Sequence, residues 1–167
     1  MASPEAAGRQ AGGEIPYAEF RPEDLCLNLA LRLPADLVKM SDAVEGIMKV
    51  LQALECNCGG ESEVEISLRE ALANAIIHGC CKDASKTVEC DIACNREKAL
   101  LITVRDPGLG FDTAKLPNPK AVDKLHLDHG RGVYMILRLM DQVAFADYGR
   151  QIRMYKSANG CGSGSWV

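Results

Sequence analysis

No apolar run in this 167-residue sequence approaches the roughly 20 residues needed to cross a bilayer, so no membrane-spanning helix is expected. Met1 to Gly13 lack the basic start and apolar core of a secretory signal, and the expected location is the cytoplasm. Excess charge of one sign is missing too. A formal net charge of -4 offers no electrostatic footprint for general nucleic-acid binding. The eight cysteines (Cys26, Cys56, Cys58, Cys80, Cys81, Cys90, Cys94 and Cys161) include no Cys-x-x-Cys pair and no second pair at zinc-finger distance. They are expected to be reduced thiols that pack as small apolar side chains. Neither Cys56/Cys58 nor Cys80/Cys81 carries a redox signature. Internal repeats are also absent.

What is present suits one soluble domain with a sizeable core: 47% hydrophobic and 25% charged residues. Residues 1–24, rich in Ala, Gly, Pro and Glu, have no sustained periodicity and read as a flexible extension. Leu27, Leu29, Leu31 and Leu33 alternate, which predicts a strand over Leu25 to Leu33. Pro34 and Asp36 then open a helix of about 18 residues with a stripe of Leu37, Met40, Val44, Ile47, Met48, Leu51 and Leu54. Thr87 to Asn95 and Leu100 to Arg105 predict a hairpin, and Gln142 to Tyr148 with Gln151 to Lys156 predict a second one around Gly149-Arg150. Thr113 to His129 reads as a long mobile loop, and residues 158–167 as a flexible tail. The order strand, helix, helix, strand, strand, loop, helix, strand, strand predicts an α+β fold over residues 25–157. Its two layers would be a mixed, mainly antiparallel sheet with helices on one face.

Chemistry concentrates in three places. A helix starting near Ser62 and ending at Gly79 is apolar around most of its surface from Glu65 to Gly79, yet Glu70, Asn74 and His78 recur every four residues and so share one stripe. Polar groups on a buried helix need partners. Gly79 closes this helix in the manner of a C-terminal glycine. Asp106-Pro107-Gly108-Leu109-Gly110-Phe111 follows a strand directly. Glycines at alternate positions admit positive φ and let backbone approach a ligand, and the carboxylate suits an exocyclic amine such as that of adenine. Read alone, Asp-Pro-Gly is also an ordinary turn. Gly130-Arg131-Gly132 opens a helix, where unpaired N–H groups attract phosphates, and Arg131, Lys115, Lys120 and Lys124 would add charge-assisted contacts.

Taken together, these segments resemble the GHKL (Bergerat-fold) ATPase superfamily, and within it the bacterial anti-sigma-factor serine/threonine kinases. Asn74-Ala75-Ile76-Ile77-His78-Gly79 is similar to the family's N-box, with Glu70 one turn upstream. Asp106 to Asp112 is similar to the first glycine box, and Gly130 to Asp141 to the second with its helix. Leu116-Pro117-Asn118-Pro119 resembles the family's lid. The resemblance implies ATP and Mg2+ as cofactors, with Asn74 ligating the metal and Glu70 acting as general base on the attacking hydroxyl. It implies that Asp106 reads adenine with clearance from Gly108 and Gly110, that Gly130, Arg131 and Gly132 wrap the phosphates, and that His78 lines the phosphate end or pins the lid. As partners it implies a sigma factor, an anti-anti-sigma protein phosphorylated on serine, and a second copy of the chain, with no direct nucleic-acid contact.

One departure matters. Where some of these kinases carry a basic side chain ahead of the second glycine box, this chain reads Leu127-Asp128-His129. Without a substitute, phosphoryl transfer would lose charge stabilisation while nucleotide binding survived. The rival reading is therefore a non-catalytic, ATP-dependent partner switch. The catalytic domain of a sensor histidine kinase ranks last, because no helical dimerisation segment with a phosphoacceptor histidine precedes the fold.

Overall fold

Alternate leucines bury one side of Leu25–Pro34 and leave the other in water, so this segment pairs as strand β1. A computed structural model describes residues 14–56, 60–116 and 131–158 of the chain. Asp36 ends β1 and starts helix α1 (Leu37–Ala53): its Oδ1 accepts from the backbone N–H of Val38 at 2.8 Å and of Lys39 at 3.1 Å. That is an N-cap, which satisfies two donors the first turn cannot pair internally. Met40, Val44, Ile47 and Leu51 form the buried stripe of α1. Leu37, the first residue of α1, was expected in that stripe but is 41% exposed.

Helix α2 (Glu61–Asn74) buries Val64, Ser67, Leu68, Ala71 and Leu72, and continues as one π turn over Ala75–Gly79. There the Cys80 N–H reaches back five residues to the Ala75 carbonyl at 2.8 Å. Strands β2 (Thr87–Asn95) and β3 (Leu100–Arg105) form the first hairpin. After residues 117–130, which lie outside the described chain, come helix α3 (Arg131–Leu139) and strands β4 (Gln142–Ala146) and β5 (Gln151–Lys156). Strand β4 is shorter than the sequence predicts, because Asp147 (φ 52°) and Tyr148 (φ 55°) enter the left-handed region and end the ladder.

Among the described residues one five-stranded sheet forms, in the order β1-β2-β3-β5-β4, and every pairing is antiparallel rather than mixed. The reason is parity. Two helices separate β1 from β2, so the chain returns in the opposite sense. A single helix separates β3 from β4, giving them one direction, and β5 inserts between the two. The core lies between one face of this sheet and the three helices, where Ile92, Leu100, Ile102 and Met154 meet Leu51, Leu68, Leu72 and Ile136. Each such side chain contributes about 1.5–3 kcal/mol relative to exposure.

The other face is polar across its middle, with Arg105 bridging Asp91 and donating to Gln151 Oε1 at 2.8 Å. Residues 14–24, expected to be flexible, instead cover part of it. Ile15 is buried with Ala99 and Tyr155, Phe20 meets the Tyr155 ring edge-on, and the Glu19 carbonyl accepts from Asn95 Nδ2 at 3.4 Å. A lone apolar Ile15 has no periodicity to announce it. No helix among the described residues is long and apolar enough to cross a membrane.

The cysteines bring a further correction. Cys56, in the turn after α1, and Cys94, near the end of β2, are joined as a disulfide across 38 residues of sequence. Sequence spacing searches local pairs, and this pair is brought together by the packing of α1 on the sheet. Cys80 and Cys90 are buried thiols, as expected, and burial pushes the Cys90 thiol up to about 12. Cys26 and Cys81 are exposed, while Cys58 and Cys161 lie outside the described residues.

Candidate functional site

The last turns of α2 and the π turn form the floor of the site. From Glu70 to Gly79 the helical rise spans roughly 13 Å. At one end, Asp106 leaves β3 and folds its carboxylate against bare backbone. A Cβ added at Gly79 would overlap the Asp106 carboxylate, and one at Gly108 would overlap the Gly79 carbonyl oxygen and lie 2.8 Å from Asp106 Oδ1. Gly79 therefore serves close approach and not the left-handed helix terminus that its position suggests. Positive φ occurs at Cys81 and Lys82 instead, with values of 52° and 56°.

The Asp106 carboxylate accepts the Gly108 N–H at 2.8 Å and is half-buried. Burial pushes its carboxyl above the ordinary range. The Gly108 N–H and the Arg150 guanidinium oppose that rise, and Asp147 adds to it. The two glycines of this loop differ in purpose. Gly108 gives clearance, whereas Gly110 has φ +77° and lies against the Tyr148 carbonyl. The Phe111 N–H donates to that same carbonyl at 2.9 Å, the Asp106 N–H donates to the Arg150 carbonyl at 3.0 Å, and the Phe111 ring meets Phe145.

The turn Asp147–Gly149 and Arg150 thus brace the aspartate loop, a role sequence reasoning missed. They lie some 40 residues downstream of it, and their only local signal is a hairpin turn. We expect Gly108→Ala to lower stability by about 1–3 kcal/mol, the usual cost of overpacking, because the obstacle is backbone. Thermal unfolding against wild type measures this, and an unchanged midpoint would refute the contact.

At the other end α3 crosses α2. A Cβ at Gly132 would overlap Glu70 Oε2 and lie 3.3 Å from Asn74 Nδ2, so a carboxylate and a carboxamide one helical turn apart face the same bare backbone. Both side chains are half-buried. They are hard oxygen donors of the kind Mg2+ prefers, and the N-terminal end of α3, which favours anions, lies beside them. The donor set therefore fits Mg2+ held jointly with phosphate oxygens: Asn74 would be a protein ligand, and the ion would supply charge neutralisation.

Glu70 and Asn74 meet at Gly132, while Asp106, Gly79 and Gly108 meet at the opposite end. His78, expected on the same stripe as Glu70 and Asn74, is exposed, because the π turn breaks the four-residue repeat there. Its carbonyl accepts from Cys81 Sγ at 3.7 Å. Arg131, the first residue of α3, is exposed. Lys115 closes a short turn over Thr113–Lys115 that Asp112 caps, its Oδ1 accepting the Ala114 N–H at 3.0 Å. Gly130, Lys120, Lys124 and most of the expected lid lie outside the described residues.

The arrangement can seat an elongated ligand with an amine-bearing base at Asp106 and a metal-bound polyanion at Asn74 and Gly132. In comparisons with known proteins, residues 33–156 match the family described as the histidine kinase-like ATPase domain. No curated protein matches the chain.

Proposed function

The chain belongs to the histidine kinase-like ATPase family, and on that premise we propose that it is an ATP-dependent serine protein kinase that doubles as an anti-sigma factor. It binds ATP with Mg2+ in the cytoplasm as a homodimer, sequesters a sigma factor, and phosphorylates a serine of a small anti-anti-sigma protein. Adenine hydrogen-bonds Asp106, Asn74 ligates the ion, and the phosphates lie toward Gly130, Arg131 and Gly132. Glu70 takes the proton of the serine hydroxyl as it attacks the terminal phosphate.

The observation that supports transfer, and not binding alone, is the position of Glu70. Its carboxylate shares the Gly132 backbone with the metal-ligand candidate Asn74, at the end of the site remote from Asp106.

The second reading, a partner switch that grips without phosphorylating, draws on the absence of a lysine or arginine in Leu127-Asp128-His129. Purified protein incubated with terminally labelled ATP and candidate antagonist proteins separates the two. Label transferred to serine supports the kinase, and ATP-dependent complexes without transfer support the switch.

Magnesium enters through one residue on this reading. Asn74→Ala is expected to bind nucleotide with an affinity that no longer responds to magnesium, whereas wild-type affinity rises with it. Identical magnesium titrations of the two proteins by calorimetry would move the metal role to another residue.

A further inference from the structure

We propose that Cys26, Cys56 and Cys94 form a binding site for a zinc-class divalent cation, apart from the nucleotide site. Their three sulfur atoms lie within 4.8 Å of one another. Tetrahedral zinc with Zn–S bonds of about 2.3 Å places its sulfurs a little under 4 Å apart, so small side-chain adjustments close the site.

The three residues come from separate elements: Cys26 from the start of β1, Cys56 from the turn between α1 and α2, and Cys94 from the end of β2. Cys56 and Cys94 are buried, while Cys26 is exposed and leaves a path for the ion and for a fourth ligand such as water. Their backbone is well held. The Cys56 N–H donates to the Leu51 carbonyl at 2.9 Å. Next to Cys94, the buried Asn95 side chain accepts the Ala99 N–H at 2.9 Å; the Cys26 thiol donates to the Asn95 carbonyl at 3.3 Å and gives up that bond when it ionises to bind the metal.

The Cys56–Cys94 disulfide must open first. A dithiol reductant supplies two electrons and two protons to give two thiols. The three thiols then release three protons to solvent as the dication binds, leaving one net negative charge. Lys98 is placed to offset it: its ammonium donates to the Leu54 carbonyl at 2.7 Å, two residues before Cys56.

The site lies at the sheet end opposite Asp106, because Cys94 pairs with Leu100 while Asp106 follows Arg105 at the other end of β3. An ion there fastens the α1–α2 turn to the sheet just ahead of the helix that carries Glu70 and Asn74. Cys80, Cys81 and Cys90 take no part.

The test uses the full chain, reduced and kept anaerobic, titrated with Zn2+ against a chromophoric chelator and with Co2+ alone. One ion per chain is expected, with thiolate-to-cobalt charge transfer and tetrahedral ligand-field bands. Cys26→Ala, exposed and so compatible with folding, should weaken zinc binding at least about tenfold and remove about one third of the charge-transfer intensity. Zinc at a hundred times Kd should raise the wild-type melting midpoint by about 5–10 °C, and the same concentration should raise that of Cys26→Ala far less. Cys81→Ala should behave as wild type in every measurement. Failure of the fully reduced chain to bind stoichiometrically, unchanged binding in Cys26→Ala, an equal loss in Cys81→Ala, or a disulfide that survives reductant in the folded chain would each overturn the site.

Discussion

Asp106→Asn is expected to lower ATP affinity by about 10- to 150-fold, the equivalent of losing a charged hydrogen bond of about 1.5–3 kcal/mol. Asparagine keeps the size and the oxygen that accepts the Gly108 N–H, so the loop braced by Tyr148 and Arg150 keeps its shape. What changes is the charge offered to an exocyclic amine. Because burial raises the Asp106 carboxyl above its ordinary range, the folded chain holds this proton more tightly than the unfolded chain. The contribution of this group to stability is therefore greatest at low pH and is lost as pH rises through its raised value. Asp106→Asn should remove that dependence and leave the melting midpoint at neutral pH equal to or above wild type. ATP affinity should respond in the opposite sense. It should fall as pH drops through the same window in wild type and stay flat in the variant. Calorimetry at a series of pH values from the ordinary carboxylate range up to neutral reads both effects. Wild-type affinity in Asp106→Asn would sink the adenine assignment.

Glu70→Gln carries the second large effect. The amide fills the same space against Gly132 but cannot take a proton from an attacking hydroxyl. Phosphorylation of the partner should fall by roughly a hundredfold to ten-thousandfold, while ATP affinity stays within a small factor because Glu70 is remote from the adenine end. A sigma-factor complex should then persist with antagonist and ATP in excess. Wild type is measured first, since a wild-type chain that transfers no phosphate already favours the switch. If wild type is active and Glu70→Gln transfers as fast, Glu70 is a structural polar group on α2.

Much of the architecture was legible because the relevant signals are local. The alternation Leu27, Leu29, Leu31, Leu33 and the Asp36 cap each act within a few residues, and β2 and β3 fall where their patterns place them. The misses share a different cause. Ile15 reaches Tyr155, Cys56 reaches Cys94, and the Tyr148 carbonyl reaches Gly110, all across long stretches of sequence. The π turn at Ala75–Gly79 is local, yet it alters a four-residue repeat that the sequence displays without interruption.

Residue chemistry and short-range pattern alone determined which side chains are available here: a carboxylate and a carboxamide one turn apart on a largely apolar helix, an aspartate in a glycine loop, and glycines opening a later helix. Those patterns suffice because helical and strand periodicity are set by backbone geometry within a turn or two. Only the tertiary structure decided what these residues do to one another. Packing α3 across α2 turned Gly132 into the wall that Glu70 and Asn74 share, and the return of the chain after β3 set Asp106 against Gly79. Pairing β1 with β2 and stacking α1 on the sheet gathered three distant sulfurs at its far end. Such contacts depend on where burial of the core brings separate elements, and no spacing within one element encodes that distance.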